Sequence, residues 1–299
     1  MWFKNLQLYR LPKNWKIEAT ELDERLARFT LQGCSATDPR SMGWVPPRDG
    51  GTLIHSANQQ WLLALGVEEK LLPATIVKRF ASDRAKEIEE AEGRRVGRRE
   101  LRELQEQMTL ELLPRAFIRR RTTHGWIDRA NGWLVIDTAS PAKAEEFLEH
   151  LRQSLDSLPA RLVKVLQSPS AAMTGWVAAG EAPAGFTLDQ DLELRSPEKA
   201  TVRYANHPLE GEEIRQHIAD GKIVTRLAMT WSDRISFVLN DLLQIKRLAF
   251  LDLLKEQSEG QAENEAERFD IDFTLMTGEV AQLLEELLAA LGGEAPSAP

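Results

Sequence analysis

The sequence predicts an α+β protein of mixed and mainly antiparallel sheets, with a protruding helical hairpin and a C-terminal amphipathic helix. Three observations carry this. Strand-length apolar runs are joined by hairpin and meander signals, as at Asn131-Gly132 and across 223–250. A long charged helical pattern over 74–113 is interrupted by Gly93 and Gly97, each worth about 1 kcal/mol against a continuous helix. Late in the chain Val280, Leu283, Leu284, Leu287, Leu288 and Leu291 recur on one face of a helix closed by Gly292-Gly293.

In chain order, 2–11 is apolar and aromatic up to Pro12 and predicts a first strand. Leu22, Leu26 and Phe29 have helical spacing, which predicts a short helix over 21–29. The stretches 43–47 and 49–51 have turn composition. Paired strands are predicted at 52–56 and 60–66, around Ala57-Asn58. Pro73 opens the helical region and Pro114 closes it, with a turn near 93–97. Strands follow at 116–121, 125–128 and 133–137. Ser140-Pro141 caps and starts a helix running to about 158. A strand at 161–166 completes a β-β-α-β stretch, and 169–179 is predicted helical. Strands are expected at 186–195 and 200–204, then a helix over 209–220 ending at Gly221. Runs at 223–231, 235–239 and 244–250 form an antiparallel meander. Residues 257–268 look like a linker or weak helix, 269–277 like the start of a strand, 278–291 like the strong helix, and 294–299 like a disordered tail. The expected domains are 1–73 with 114–168 as a central α+β unit, 74–113 as the hairpin, and 169–299 as a C-terminal α+β unit.

Charge is segregated. The 299-residue chain has a net charge of −8, yet residues 78–129 hold 14 Lys+Arg against 10 Asp+Glu, a balance of +4. Residues 250–299 hold 2 against 12, a balance of −10. A polyanion responds to the local field rather than to the total. Nine cations fall in 78–102: Lys78, Arg79, Arg84, Lys86, Arg94, Arg95, Arg98, Arg99 and Arg102. On one continuous helix the last five would span roughly 140° of arc. Arg115, Arg119, Arg120 and Arg121 follow. Arg offers phosphate oxygens a planar fork. Glu87, Glu89, Glu90, Glu92, Glu100, Glu103 and Glu106 offer an equally simple alternative, a solvated helix of ion pairs. Strand alternation sends Arg119 and Arg121 to one face and Arg120 to the other. Lys222, Arg226, Lys246 and Arg247 lie on the meander, where protection of sheet edges explains them as well as phosphate contact does. Phe117 reads either as a core aromatic or, among arginines, as something else. The eight tryptophans sit in apolar patterns and read as core rather than base-stacking platforms.

Enzyme signatures are thin. The five histidines show no metal-binding spacing. Cys34 is the single cysteine, so no intrachain disulfide forms and a reducing cytoplasm is expected. Gly221-Lys222 lacks the preceding glycine of a phosphate loop. Asp270, Asp272 and Glu279 could serve a metal-dependent nuclease; solvation and helix-start preference explain them as simply. No secretory leader or spanning apolar segment is seen. No catalytic residue, metal or other cofactor is expected. Zinc-finger, helix-turn-helix and aromatic RNA-binding patterns are missing too, which fits backbone contact without sequence choice.

Several stretches together resemble one family. They are WFKNL with YRL (2–11), MGWVPP (42–47), EEKLLP (68–73), LLPRAF (112–117), WID with NG (126–132), GKIVTRLAM (221–229), FDIDFTLMTGE (269–279) and LGGEA (291–295). In this order, across nearly the whole chain, they resemble the bacterial recombination-associated RdgC family. The resemblance implies a non-enzymatic, cytoplasmic, nucleoid-associated protein that binds double-stranded DNA with little sequence preference. It also implies a ring-shaped homodimer whose basic hole surrounds a duplex, and restraint of RecA-promoted strand exchange by competition for DNA. At one dimer contact of that family an aromatic residue enters an apolar pocket of the second subunit; the matching position is Phe117. The loop Ala205-Asn206-His207-Pro208-Leu209 departs from the polar and basic residues of relatives, so no dimer contact is assigned to it.

Overall fold

The computed structural model describes residues 1–251 and 262–296. These fall into two compact units, one comprising Met1–Ala19, His55–Leu62 and His124–Pro299, the other Thr20–Ile54 and Leu63–Thr123. The architecture is α+β, and every strand pairing whose register is defined is antiparallel.

In the second unit, helix α1 (Ala19–Leu26) buries Leu22 and Leu26. Strand β2 (Arg40–Val45) pairs with β4 (Gln60–Leu71), Trp44 lying opposite Leu65. This corrects the turn expected at 43–47 over 43–45, while 46 and 47 lie outside the strand. A Cβ on Gly43 would lie 2.3 Å from the Leu31 nitrogen and 2.4 Å from the Thr30 carbonyl carbon. The glycine therefore serves close backbone approach within a strand rather than a change of direction. Helices α2 (Ala74–Glu92) and α3 (Arg98–Leu112) form the predicted hairpin. Gly93 ends α2 in the left-handed region at φ +65°, its N–H donating to the Glu89 carbonyl, a geometry that penalises any Cβ. The packing between the helices is small: Ala81, Ala85 and Leu104, flanked by Ile88, Val96, Leu101 and Met108. Strand β5 (Phe117–Asp128) is one 12-residue strand where two were expected; its first seven residues belong to this unit.

The first unit holds β1 (Gln7–Arg10), β6 (Trp133–Ile136) and the short edge strand β7 (Arg161–Leu162), with β1 between the other two. The strand expected at 2–11 starts late because the Lys4 and Asn5 N–H groups donate to Asp137 Oδ1 instead of a ladder. The hairpin strands β3 (Ile54–Ala57) and β4 turn at Asn58 and Gln59, both with positive φ. Helix α4 (Pro141–Ser154) starts at the predicted Ser140 cap but ends before 158, where Leu155 turns extended. The strand expected at 161–166 is only β7 plus an isolated bridge from Val165 to Glu294. That bridge orders the first residue of the tail expected to be disordered; 297–299 lie outside the described residues.

Helix α5 (Pro169–Ala179) packs on a five-stranded sheet in the order β12-β11-β10-β8-β9. Its strands are β8 (Phe186–Arg195), β9 (Thr201–Tyr204), β10 (Ile223–Trp231), β11 (Ile235–Asn240) and β12 (Ile245–Phe250). Helix α6 (Glu212–Ala219) begins three residues later than expected, with Gly211 at its start. Helix α7 (Glu265–Ala290) absorbs the strand expected at 269–277. Asn264 caps it by accepting from the Glu267 N–H, and Phe273, Met276 and Val280 join the leucine stripe in the core. Burying each such side chain contributes about 1.5–3 kcal/mol, which overrides the local β propensity of 269–274. Of the linker expected at 257–268, residues 257–261 lie outside the described residues and 265–268 are the first turn of α7.

Candidate nucleic-acid interface

The hairpin turn is built from opposed charges. Arg94 donates from Nε to Glu92 and from both terminal nitrogens to Glu100, at 2.6, 2.7 and 2.7 Å. Those hydrogen bonds hold the Glu100 carboxyl below the usual carboxylate range and push the Arg94 guanidinium up. The Val96 N–H donates to Glu89 at 2.8 Å, closing the turn. On α3, Arg99 pairs with Glu103 at 3.2 Å and Arg102 with Glu106 at 3.5 Å. These are exposed pairs with the cation N-terminal to the anion, the poorer orientation along a helix, so salt or a phosphate readily competes with them. Arg95 and Arg98 are exposed and have no ion-pair partner among the described residues. Because Gly93 ends α2, the five arginines do not share one helix face. Arg94 and Arg95 ride the turn, and Arg98, Arg99 and Arg102 ride α3.

Arg115, in the one-turn 3-10 segment before β5, is exposed and unpaired among the described residues. The start of β5 then alternates as predicted. Arg119 and Arg121 both reach Glu69 on β4, at 2.6 and 3.5 Å, while Arg120 reaches Glu68. The Arg120 bond, joined by the Cys34 N–H, keeps the Glu68 carboxyl low; the Arg119 bond does the same for Glu69. The triple arginine is therefore held by two carboxylates, whereas Arg95, Arg98 and Arg115 are open. Lys78 and Arg79 on α2 are exposed and, among the described residues, unpaired as well. They belong to the nine-cation run, whose spacing alone does not show which cations lack a nearby acid. Phe117 is 86 % exposed and Ile118 51 %, which removes the reading of Phe117 as a core aromatic.

The meander cations sit in the other unit. Lys222 donates to His217 Nδ1 at 3.0 Å. Arg247 pairs with Asp191 at 3.2 Å, and Lys246 is half-buried. Arg226 lies 3.8 Å from Glu193, which also takes Arg203 at 2.6 Å and Arg195 at 3.5 Å. Burial pushes the Glu193 carboxyl up, but hydrogen bonds from Arg203 and Thr225, with the Arg203 and Arg226 charges, win and lower it. Arg203, Arg226 and Arg247 line a cavity of about 430 Å³ whose acids already occupy them.

The carboxylates of the nuclease alternative are not brought together. Asp270 lies by His55 at 3.3 Å, Asp272 is buried against the Met1 amino group at 2.7 Å, and Glu279 takes Arg234 at 2.7 Å. Residues two apart on α7 point to nearly opposite sides. Among the described residues no group of three or more His, Cys, Asp or Glu could hold a metal ion. Among them, too, no helix is long and apolar enough to cross a membrane. Trp44, Trp61, Trp126 and Trp231 are core residues.

Comparison with known proteins adds the following. The family model described as "Putative exonuclease, RdgC" matches residues 1–294. The chain is 54% identical over 299 residues to the recombination-associated protein RdgC of Dechloromonas aromatica (strain RCB), covering 98% of each. Over 296 residues it is 52% identical to the protein of that name from Janthinobacterium sp. (strain Marseille) and 53% to that of Herminiimonas arsenicoxydans, covering 98% of this chain and 99% of each relative.

Proposed function

The chain belongs to the RdgC family, and from that premise we propose that it is a non-enzymatic, recombination-associated protein that binds double-stranded DNA without sequence preference. The observation that carries the reading is the set of exposed guanidiniums without acid partners among the described residues, Arg95, Arg98 and Arg115, within a +4 segment of an acidic chain. Neutralising phosphates with such groups releases counterions and gives binding without base readout. The weakly paired Arg99 and Arg102 add to the track, and Arg94, Arg119, Arg120 and Arg121 shape it while shared with Glu68, Glu69, Glu92 and Glu100. Lys222, Arg226, Lys246 and Arg247 are secondary contacts.

The finer reading is a ring-shaped homodimer around the duplex, closed in part by Phe117 entering an apolar pocket of a second copy, cytoplasmic and nucleoid-associated, restraining RecA by occupying its DNA. Its support is the family membership and the exposure of an aromatic side chain among arginines. A buried aromatic anchor can dominate an interface. The test compares linear with closed circular duplex across a salt series. A threaded ring persists on circles and slides off free ends; equal loss from both leaves simple DNA binding and removes encirclement. The nuclease meaning of the family description is checked with plasmid and Mg²⁺ or Mn²⁺. Nicking abolished by Asp270→Asn would replace the non-enzymatic reading.

A further inference from the structure

One cationic groove lies outside the candidate nucleic-acid interface, on the first unit's sheet. Across the first unit's sheet, Trp133 of β6, Arg10 of β1 and Arg161 of β7 stand directly opposite one another. Direct partners in an antiparallel pair share a face. Arg10 lies 3.5 Å from the Trp133 ring centroid and donates to the Asn131 carbonyl at 2.7 Å. Facing Arg10 with Arg161 puts two like charges where they repel, an arrangement that costs stability unless an anion sits between or above them. Such an anion is present. Glu294 accepts from Arg10 Nε at 2.8 Å. It is delivered by residues 291–295, which run beside 164–167: the Leu166 N–H donates to Gly293, the Gln167 N–H to Leu291, and the Ala295 N–H to Lys164.

One carboxylate does not balance the site. Lys13, Arg161 and Lys164 are exposed, line the same groove of about 630 Å³, and have no ion-pair partner among the described residues. Protecting a sheet edge needs a charge on the outer strand. It needs neither a directly opposed arginine pair nor a segment that carries a carboxylate to it. We propose that this groove is a second seat for backbone phosphates of nucleic acid, and that Glu294 occupies one phosphate position until the nucleic acid displaces it. The proposal rests on the DNA-binding reading above and adds to it an intramolecular competitor that lowers affinity.

The test uses the full chain and a labelled duplex followed by fluorescence anisotropy across a KCl series. Glu294→Gln removes the competitor and tightens duplex binding by about threefold at low salt. Arg161→Gln with Lys164→Gln weakens binding and lowers the slope of log K against log salt by about 2, near 0.9 per lost phosphate. All three side chains are exposed or half-buried at the surface, so folding is retained, and far-UV circular dichroism confirms it. Unchanged affinity and slope in both variants, while Arg95→Gln with Arg98→Gln still weakens binding, overturns the groove and leaves the hairpin track standing. Loss of the Glu294→Gln gain in millimolar inorganic phosphate at constant ionic strength also overturns it, since the groove would then be a seat for small anions. Absence of duplex binding by the unaltered chain would sink this proposal together with the reading beneath it.

Discussion

Arg95 and Arg94 are neighbours in the turn with opposite situations. Arg94 is held by two carboxylates, and Arg95 by none among the described residues. Replacing Arg95 and Arg98 together by Gln is expected to lower the salt slope of duplex binding by about 2, near 0.9 for each phosphate contact. Arg94→Gln changes the slope less and loosens the turn instead, seen as a drop in helical ellipticity. A titration experiment concerns His124. Burial lowers its pKa from 6.5 to about 4, so it is neutral in the fold at pH 7. A base whose folded pKa is depressed stabilises the fold fully above the unfolded value. That stability is lost as pH falls from 6.5 to about 4, because the unfolded chain takes up the proton first. The loss is no more than about 3 kcal/mol. His124→Gln should flatten the fall in urea midpoint over that window, and an unchanged pH profile would refute the assignment.

Elements differ in how much of them the sequence reveals. Helix α5 and strand β8 were readable to the residue, because Pro169 opens one and Gly180 closes it, while an uninterrupted apolar and polar mixture carries the other. Strand β5 reads as two strands from sequence, since Arg119 to Thr123 offers polar residues on both sides and no buried face to recognise. The start of α7 reads as a strand because Phe269, Ile271 and Phe273 alternate as a strand would; the competing helical set of Phe273, Met276 and Val280 wins only once the core is there to receive it. At Gly43 the composition predicts a turn because composition cannot distinguish a bend from a close approach. The close approach yields a prediction. Gly43→Ala drives a methyl into the Thr30–Leu31 backbone and should cost about 1–3 kcal/mol, read as a lower melting temperature. Gly93→Ala should cost about 1–2 kcal/mol through the left-handed cap alone.

At the scale of the whole molecule the cations were legible and their availability was not. Arg119, Arg120 and Arg121 find Glu69 and Glu68 some fifty positions earlier in the chain, a pairing that depends on strand register. Phe117 could be placed by neither periodicity nor composition, and its exposure makes it a clean probe of assembly. Phe117→Ala removes no core contact, so the melting temperature of the single chain should hold while dissociation of the proposed dimer rises at least about tenfold, or about 1.4 kcal/mol. Light scattering over a dilution series measures this; an unaltered dissociation constant would exclude the anchor.

The thin apolar packing between α2 and α3 has a consequence of its own. Three small or medium side chains, Ala81, Ala85 and Leu104, are the buried part of that packing, so amide protons along the hairpin should swap with deuterium well before those of the five-stranded sheet. Whatever clasps the arginines would then report itself as slowed isotope uptake at 74–112, a footprint readable peptide by peptide without any change in average shape.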